Sequence, residues 1–384
     1  MLFDEKYIAL SEAQDFMLYV IPWYKCNLRC DYCFVPKYDT VAISKEVIYA
    51  ASHFLKNFIK SKNPVVSILW GEPFLYFDKI IEIISIIQEE NPQVSFVINT
   101  NGNLIQSHQL EKLGNLSKKI TLIFSIDWNI EAMDTRLNGS MEQVWWQLQR
   151  ILNIFNEAKK YIGRDNIEIT MTISKKHLKS LDENLQFVTS LNPWLMRYRL
   201  ASWELWTLAH IDFFLKIIQK WFFKYITHKL TKNLDKFPKV EQFEKDFIVN
   251  KHDKWWFYPC SKWLNLTLTP EWTFVPCYNF LSHEDQVTYW YRQTILDYHN
   301  NQFDLQEFSN WRMQSLNLNN DLSSDGEPLK TKVNYSKCLT KWFSYDKIEL
   351  IKSALLAKDA GERKIWLLAC DFFQKNYNID LTGL

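Results

Sequence analysis

Through its first 210 residues the chain repeatedly alternates a short run of β-branched and aromatic residues with a longer stretch of helical periodicity. That rhythm marks βα units and a parallel sheet, because parallel neighbours need a crossover long enough to bring the chain back to the same edge. The spacing predicts strands over Phe16–Pro22, Val65–Trp70, Val94–Thr100, Ile120–Ile126, Ile167–Ile173 and Leu195–Ala201. Helices are predicted between them at Lys45–Lys60, Asp78–Glu90, Gln109–Leu113, Glu142–Tyr161 and Leu181–Leu191. The aromatic and basic segment Phe213–Leu230 reads as a helix that leaves this unit, and the polar stretch Thr231–Lys254 places a domain boundary behind it. From Trp255 to Phe280 the pattern changes to short strands around a turn, and Ile348–Tyr377 reads as helical. Two domains fit the 384 residues, since one core stops growing near about 250 to 300 residues.

Charge excludes some partners. Forty-five Lys and Arg stand against 44 Asp and Glu, a formal net charge of +1, so no bulk field recruits nucleic acid or an anionic membrane. No apolar stretch is long enough for a membrane helix, and Met1–Ser11 carries acids and no long apolar run, which predicts a cytoplasmic protein. Seven cysteines, an odd count without a secretion signal, point to thiolates used as ligands rather than to a disulfide framework.

Three of those cysteines follow the first predicted strand: Cys26, Cys30 and Cys33, in the spacing CxxxCxxC. Three thiolates on one short loop can each take one iron of a cubane and leave the fourth iron open, where chemistry can start. A structural zinc site is the alternative, but a closed zinc centre takes four ligands, and no fourth Cys or His lies nearby in sequence. Buried structural thiols are a second alternative, which the polar company of Lys25, Arg29 and Asp31 disfavours.

With the aromatic Tyr32 before its last cysteine, the triplet resembles the cluster motif of the radical S-adenosylmethionine (SAM) superfamily, over roughly residues 14–210. The resemblance implies an α/β fold, a partial (βα)6 TIM-like barrel with a smaller C-terminal α+β domain. Residues 1–13 would lead in, 14–210 form the core, 211–254 a helical linker and 255–384 the second domain. It implies a 4Fe–4S cluster on Cys26, Cys30 and Cys33 whose open iron chelates SAM. One electron, from a flavodoxin- or ferredoxin-type donor, would cleave the sulfonium, and the resulting 5′-deoxyadenosyl radical would abstract hydrogen from substrate.

Further positions follow the family order. Trp70-Gly71-Glu72-Pro73 resembles the GGEP motif, whose backbone and acid meet the SAM ammonium, and so assigns Gly71, Glu72 and Pro73. Asn99 and Asn101 end the third strand, and Ser125 and Asp127 the fourth, where the family places groups near the SAM ribose. An Asn-Gly pair is otherwise a turn signal, and Ser or Asp after a strand is otherwise a helix cap. Tyr32 joins the cofactor-binding set, and Arg199 is assigned to the SAM carboxylate, with an ion pair to Glu204 as its alternative. A general base is not identifiable.

Behind the core, Cys260 is followed by eleven residues, Trp272, four more residues and Cys277. This resembles the opening of the SPASM or twitch extension of many radical SAM enzymes, with Trp272 where the pattern has glycine. The resemblance implies one auxiliary 4Fe–4S cluster held by Cys260, Cys277 and Cys338. Cys370 lies in an apolar helical stretch, where cysteine acts as a small core residue. Members with such extensions modify peptides or proteins, so a peptide or protein substrate is expected. A small-molecule radical SAM enzyme of cofactor biosynthesis and a catalytically silent Fe–S or SAM-binding protein are the rivals. Tyr278 stands where sulfatase-maturing members carry an acid, which weakens that particular substrate.

Glycine is scarce: 8 residues, beside 17 Trp, where an average chain has roughly 7% Gly. Trp70, Trp128 and Trp272 each occupy a place where the family pattern has glycine. In the turn Pro270–Thr273 an indole at the third position costs about 1 kcal/mol or more if φ is positive. At Trp70 the objection is space for a close backbone approach. UGA is read as tryptophan in one alternative genetic code and as glycine in another. Several tryptophans that are glycines in the source organism would explain both counts.

Overall fold

A computed structural model describes residues 16–33, 35, 42–127 except 60 and 62, 136–201 except 138, 204–231, 237–243, 265–270 and 273–275. It also describes residues 357–375 except 359, 363, 366 and 373. Six strands form the centre: β1 (Met17–Val20), β2 (Val65–Ile68), β3 (Ser95–Thr100), β4 (Ile120–Ser125), β5 (Ile167–Ile173) and β6 (Leu195–Leu200). They alternate with α1 (Lys45–Phe58), α2 (Phe77–Glu90), α3 (Ser107–Leu116), α4 (Met141–Tyr161) and α5 (Leu181–Ser190), and α6 (Leu208–Leu230) follows β6. Strands β1 to β6 lie side by side in chain order, all parallel. This is the α/β architecture expected, as an open sheet in the TIM-like barrel class.

Alternation along the strands divides the sheet into two different faces. In β5, Ile167, Ile169, Met171 and Ile173 are fully buried, while Glu168, Thr170 and Thr172 between them are only half-buried. The apolar face packs under the helices, and the other carries a polar row across neighbouring strands. Ser125 pairs with Thr170, Thr170 with Arg197, and Thr172 with Arg199. Arg197 closes one end of that row by ion pairs to Glu168 and, at 3.2 Å, to Glu241.

The helices begin where side chains satisfy their free N–H groups. Ser44 accepts from the Val47 N–H at the start of α1. Ser140 and Gln143 form a reciprocal capping box at α4, the Gln143 side chain accepting from the Ser140 N–H at 2.8 Å. Ser140→Ala is expected to cost about 1 kcal/mol, read as a lower urea midpoint with an unchanged slope.

Two elements depart from expectation. Helix α6 starts earlier than predicted, at Leu208, because Thr207 and His210 make a capping box there. Nor does it leave the unit: Ile211, Phe214, Ile218, Trp221, Phe222 and Tyr225 are buried. Phe214 packs edge-on against Tyr198 of β6, and Asp182 of α5 accepts from Lys220 and Trp221. The aromatic sequence of α6 is therefore core packing that completes the sixth βα unit. The second departure is the strand–turn–strand expected in a separate domain. Strand β8 (Asn265–Leu268) pairs in parallel with β1, and β9 (Phe274–Val275) pairs antiparallel with β8, extending the core sheet. At the opposite edge the two-residue β7 (Lys239–Val240) pairs with β6.

Helical residues between 357 and 375 return to the core, where Glu362 accepts from the Tyr198 hydroxyl at 3.2 Å and Phe372 meets Phe223. Cys370 sits there half-buried against the core. Cys260, Cys277, Cys338, Trp128 and Trp272 lie outside the described residues. Among the described residues no helix is long and apolar enough to cross a membrane.

Candidate functional site

Because all six central strands run the same way, the loops after β1 to β5 open on one rim, where parallel α/β folds build their sites. The first of these loops carries Cys26, Cys30 and Cys33, each half-buried. A turn closes between the last two, with the Cys33 N–H donating to the Cys30 carbonyl at 3.0 Å. The Leu28 N–H points at the Cys26 sulfur at 3.4 Å.

The second loop is bolted to the first through backbone. Glu72 N–H donates to the Lys25 carbonyl at 2.8 Å, and the Trp23 indole donates to the Glu72 carbonyl at 3.1 Å. Gly71 lies so close that an added Cβ would stand 2.3 Å from the Lys25 carbonyl oxygen, and its φ of +59° is itself glycine territory. Pro73 starts a single 3-10 turn and is buried.

Glu72 then ties in the third loop. It is 1% exposed, and its carboxylate accepts from the Thr100 hydroxyl at 2.7 Å, the Asn101 N–H at 2.8 Å and the Phe74 N–H at 3.1 Å. Burial raises its pKa, and these three donors oppose the rise. In the structure this carboxylate is taken up by the protein's own donors. Asn101 does reach the cysteine loop, its amide donating to Asn27 Oδ1 at 2.9 Å and lying 4.0 Å from the Cys26 sulfur. Asn99 instead points along the sheet to Ser67, at 3.4 Å.

A fourth tie comes from Asp127, fully buried after β4. Arg136 grips it through two hydrogen bonds, Nη2 to Oδ1 at 3.0 Å and Nε to Oδ2 at 3.1 Å. The Thr172 N–H adds a third at 2.9 Å, and the Tyr32 hydroxyl donates to Oδ2. Burial first, then the Asp127 charge, hold the Tyr32 phenol well above its ordinary pKa, so it remains a donor. Arg136 also lies over the Tyr32 ring, 5.4 Å from its centroid. Sequence reasoning assigned Tyr32 and Asp127 to a cofactor without linking them, and in the structure the two are hydrogen-bonded to each other. It did not assign Arg136, Thr172 or Thr100: Thr100 and Thr172 lie at strand ends, whereas Arg136 stands eleven residues past β4 with no motif around it. Ser125 is half-buried at the end of β4, and Arg199 is exposed on β6. Glu204, the alternative partner named for Arg199, is held by the Ser174 hydroxyl at 2.8 Å and the Lys175 N–H at 2.6 Å.

The donor chemistry of the cysteine loop fits a cationic metal cluster. Burial pushes the Cys26 thiol up to about 11, the Leu28 N–H opposes this, and Glu72, Cys30 and Cys33 add to the rise. Such a thiol is protonated at neutral pH until positive charge is bound to it. The thiols feel one another, yet among the described residues no three ligating side chains close round a single ion.

The family model for the Radical SAM superfamily matches residues 20–188, from the end of β1 into α5. This stretch of the chain belongs to the Radical SAM superfamily. Enzymes of this superfamily work with a 4Fe–4S cluster and SAM. Among solved structures, "Native anSMEcpe with bound AdoMet" superposes with a TM-score of 0.64 at 15% identity, covering 88% of this chain and 99% of that one. "Native anSMEcpe with bound AdoMet and Cp18Cys peptide" gives 0.62 at 16% identity over the same shares. "Crystal structure of Streptococcus suis SuiB bound to precursor peptide SuiA" gives 0.57 at 18% identity, covering 80% of this chain and 68% of that one. At these identities the likeness is one of fold. No curated protein sequence matches the chain.

Proposed function

We propose that this radical SAM enzyme acts on a peptide or protein side chain, with Cys26, Cys30 and Cys33 holding its 4Fe–4S cluster. The observation that carries the assignment is the anchoring of the cysteine loop to three further rim loops, through Lys25–Glu72, Asn27–Asn101 and Tyr32–Asp127. When bound, the cluster and SAM supply one-electron cleavage and hydrogen abstraction.

The chain's own residues do the positioning. Asn101 orients Asn27 and aims an N–H at the Cys26 sulfur, the kind of contact that tunes a cluster's potential. Glu72 fixes the second and third loops against each other. Tyr32, Asp127 and Arg136 hold the far end of the cysteine loop on β4 and β5. Trp23 and Leu28, both buried, keep water from the loop's underside. The half-buried polar row of Ser125, Thr170 and Thr172 faces the interior where substrate would lie. Support for a peptide substrate comes from the peptide-bound structures of the same fold. Delivery of the electron by a flavodoxin- or ferredoxin-type protein belongs to the same proposal.

Anaerobic reconstitution followed by dithionite and SAM tests the chemistry: 5′-deoxyadenosine should accumulate, and its absence would sink the enzyme reading. The second cluster proposed on Cys260, Cys277 and Cys338 is tested by iron counts. About eight irons per chain should fall to about four in Cys260→Ala, whereas about four in both removes the auxiliary cluster.

A further inference from the structure

Left-handed backbone is rationed in this protein, and one residue breaks the ration. Among the described residues Gly71, Gly102, Gly139 and Gly163 take positive φ, at +59°, +76°, +138° and +94°. Two other residues join them: Asn192 at +51° and Trp70 at +68°. Asparagine visits that region routinely because its short side chain bonds locally, but a Cβ bearing an indole crowds the carbonyl there. Trp70 and Gly71 are moreover consecutive, so the backbone makes two left-handed steps between the end of β2 and Glu72. The second step has no room even for a methyl group. The turn cannot relax by shifting, because Glu72 is pinned to Lys25 on one side and to Thr100 and Asn101 on the other.

Other tryptophans look native to their sites. Trp23, Trp206 and Trp221 are buried with ordinary φ, and each indole N–H donates to a fixed acceptor: Glu72 O, Ala201 O and Asp182. The anomaly is therefore one of position and not of residue type. It coincides with a chain-wide count of 17 Trp against 8 Gly, the reverse of ordinary usage.

We propose that position 70 is a glycine in the working protein, its codon being one that the source organism reads as glycine and not as tryptophan. Sequence comparison raised the position on grounds of space; the backbone supplies a stronger reason, a left-handed residue beside another that is already glycine. The inference rests on conformation and composition, so it stands or falls independently of the cofactor assignment.

Two measurements decide it. In the source gene, codon 70 should be UGA, and the peptide spanning Leu69–Glu72 from source cells should carry the mass for glycine. A UGG codon, or the tryptophan mass, overturns the proposal. In recombinant protein translated as written, Trp70→Gly and Trp70→Ala remove the same indole but differ in the Cβ that φ of +68° opposes. Trp70→Gly should melt above Trp70→Ala by roughly 2–4 °C. Equal melting, or a more stable alanine variant, shows that the position does not call for glycine and defeats the idea even if both proteins fold well.

Discussion

Asp127→Ala is expected to destabilise the protein by about 3–5 kcal/mol, because it strands the buried Arg136 guanidinium without its counter-charge. The loss extends beyond the pair. Asp127 also accepts from the Thr172 N–H and the Tyr32 hydroxyl, so both donors are left unsatisfied in a site where Asp127 itself has no solvent exposure. Removing both charges should restore much of the loss, since replacing a whole buried ion pair by apolar groups is often neutral. The double variant Asp127→Ala/Arg136→Met separates a stranded charge from simple loss of contact. Chemical denaturation checks this, and a loss under about 1 kcal/mol in the single variant would mean that the pair is not holding the rim.

The second large effect concerns metal. Cys30→Ala should lose about four irons per chain after anaerobic reconstitution and form 5′-deoxyadenosine only at background. Cys370→Ala, half-buried on the helical segment against the core, should keep the full iron content and activity. Retention of all iron in Cys30→Ala would show that the triplet does not hold the cluster.

The strands were legible because their apolar residues recur every second position and the helices between them every third or fourth. Where the reading slipped, the missing information was spatial. Helix α6 is apolar and aromatic around much of its circumference, so no stripe told which way it faced, and only its contacts with Tyr198 and Asp182 place it on the sheet. The four residues of β8 could not declare their partner, since a short strand pairs equally well with any free edge. At the site, residue types were legible but their directions were not. The three donors that hold the Glu72 carboxylate come from two different loops, and the bond between Tyr32 and Asp127 spans 95 positions. The torsion at Trp70 has no counterpart in a string of letters, although the tryptophan count pointed towards it.

The pairing of β8 with β1 also orders events in time. On the ribosome, β1 emerges with one edge destined for β2 and the other for a partner that begins at Asn265. At roughly 5–20 residues per second the second edge stays bare for some tens of seconds. An uncovered parallel edge is a template for strands of other chains. Expression at a lower temperature, or with chaperones that shield nascent strands, should therefore raise the yield of native protein.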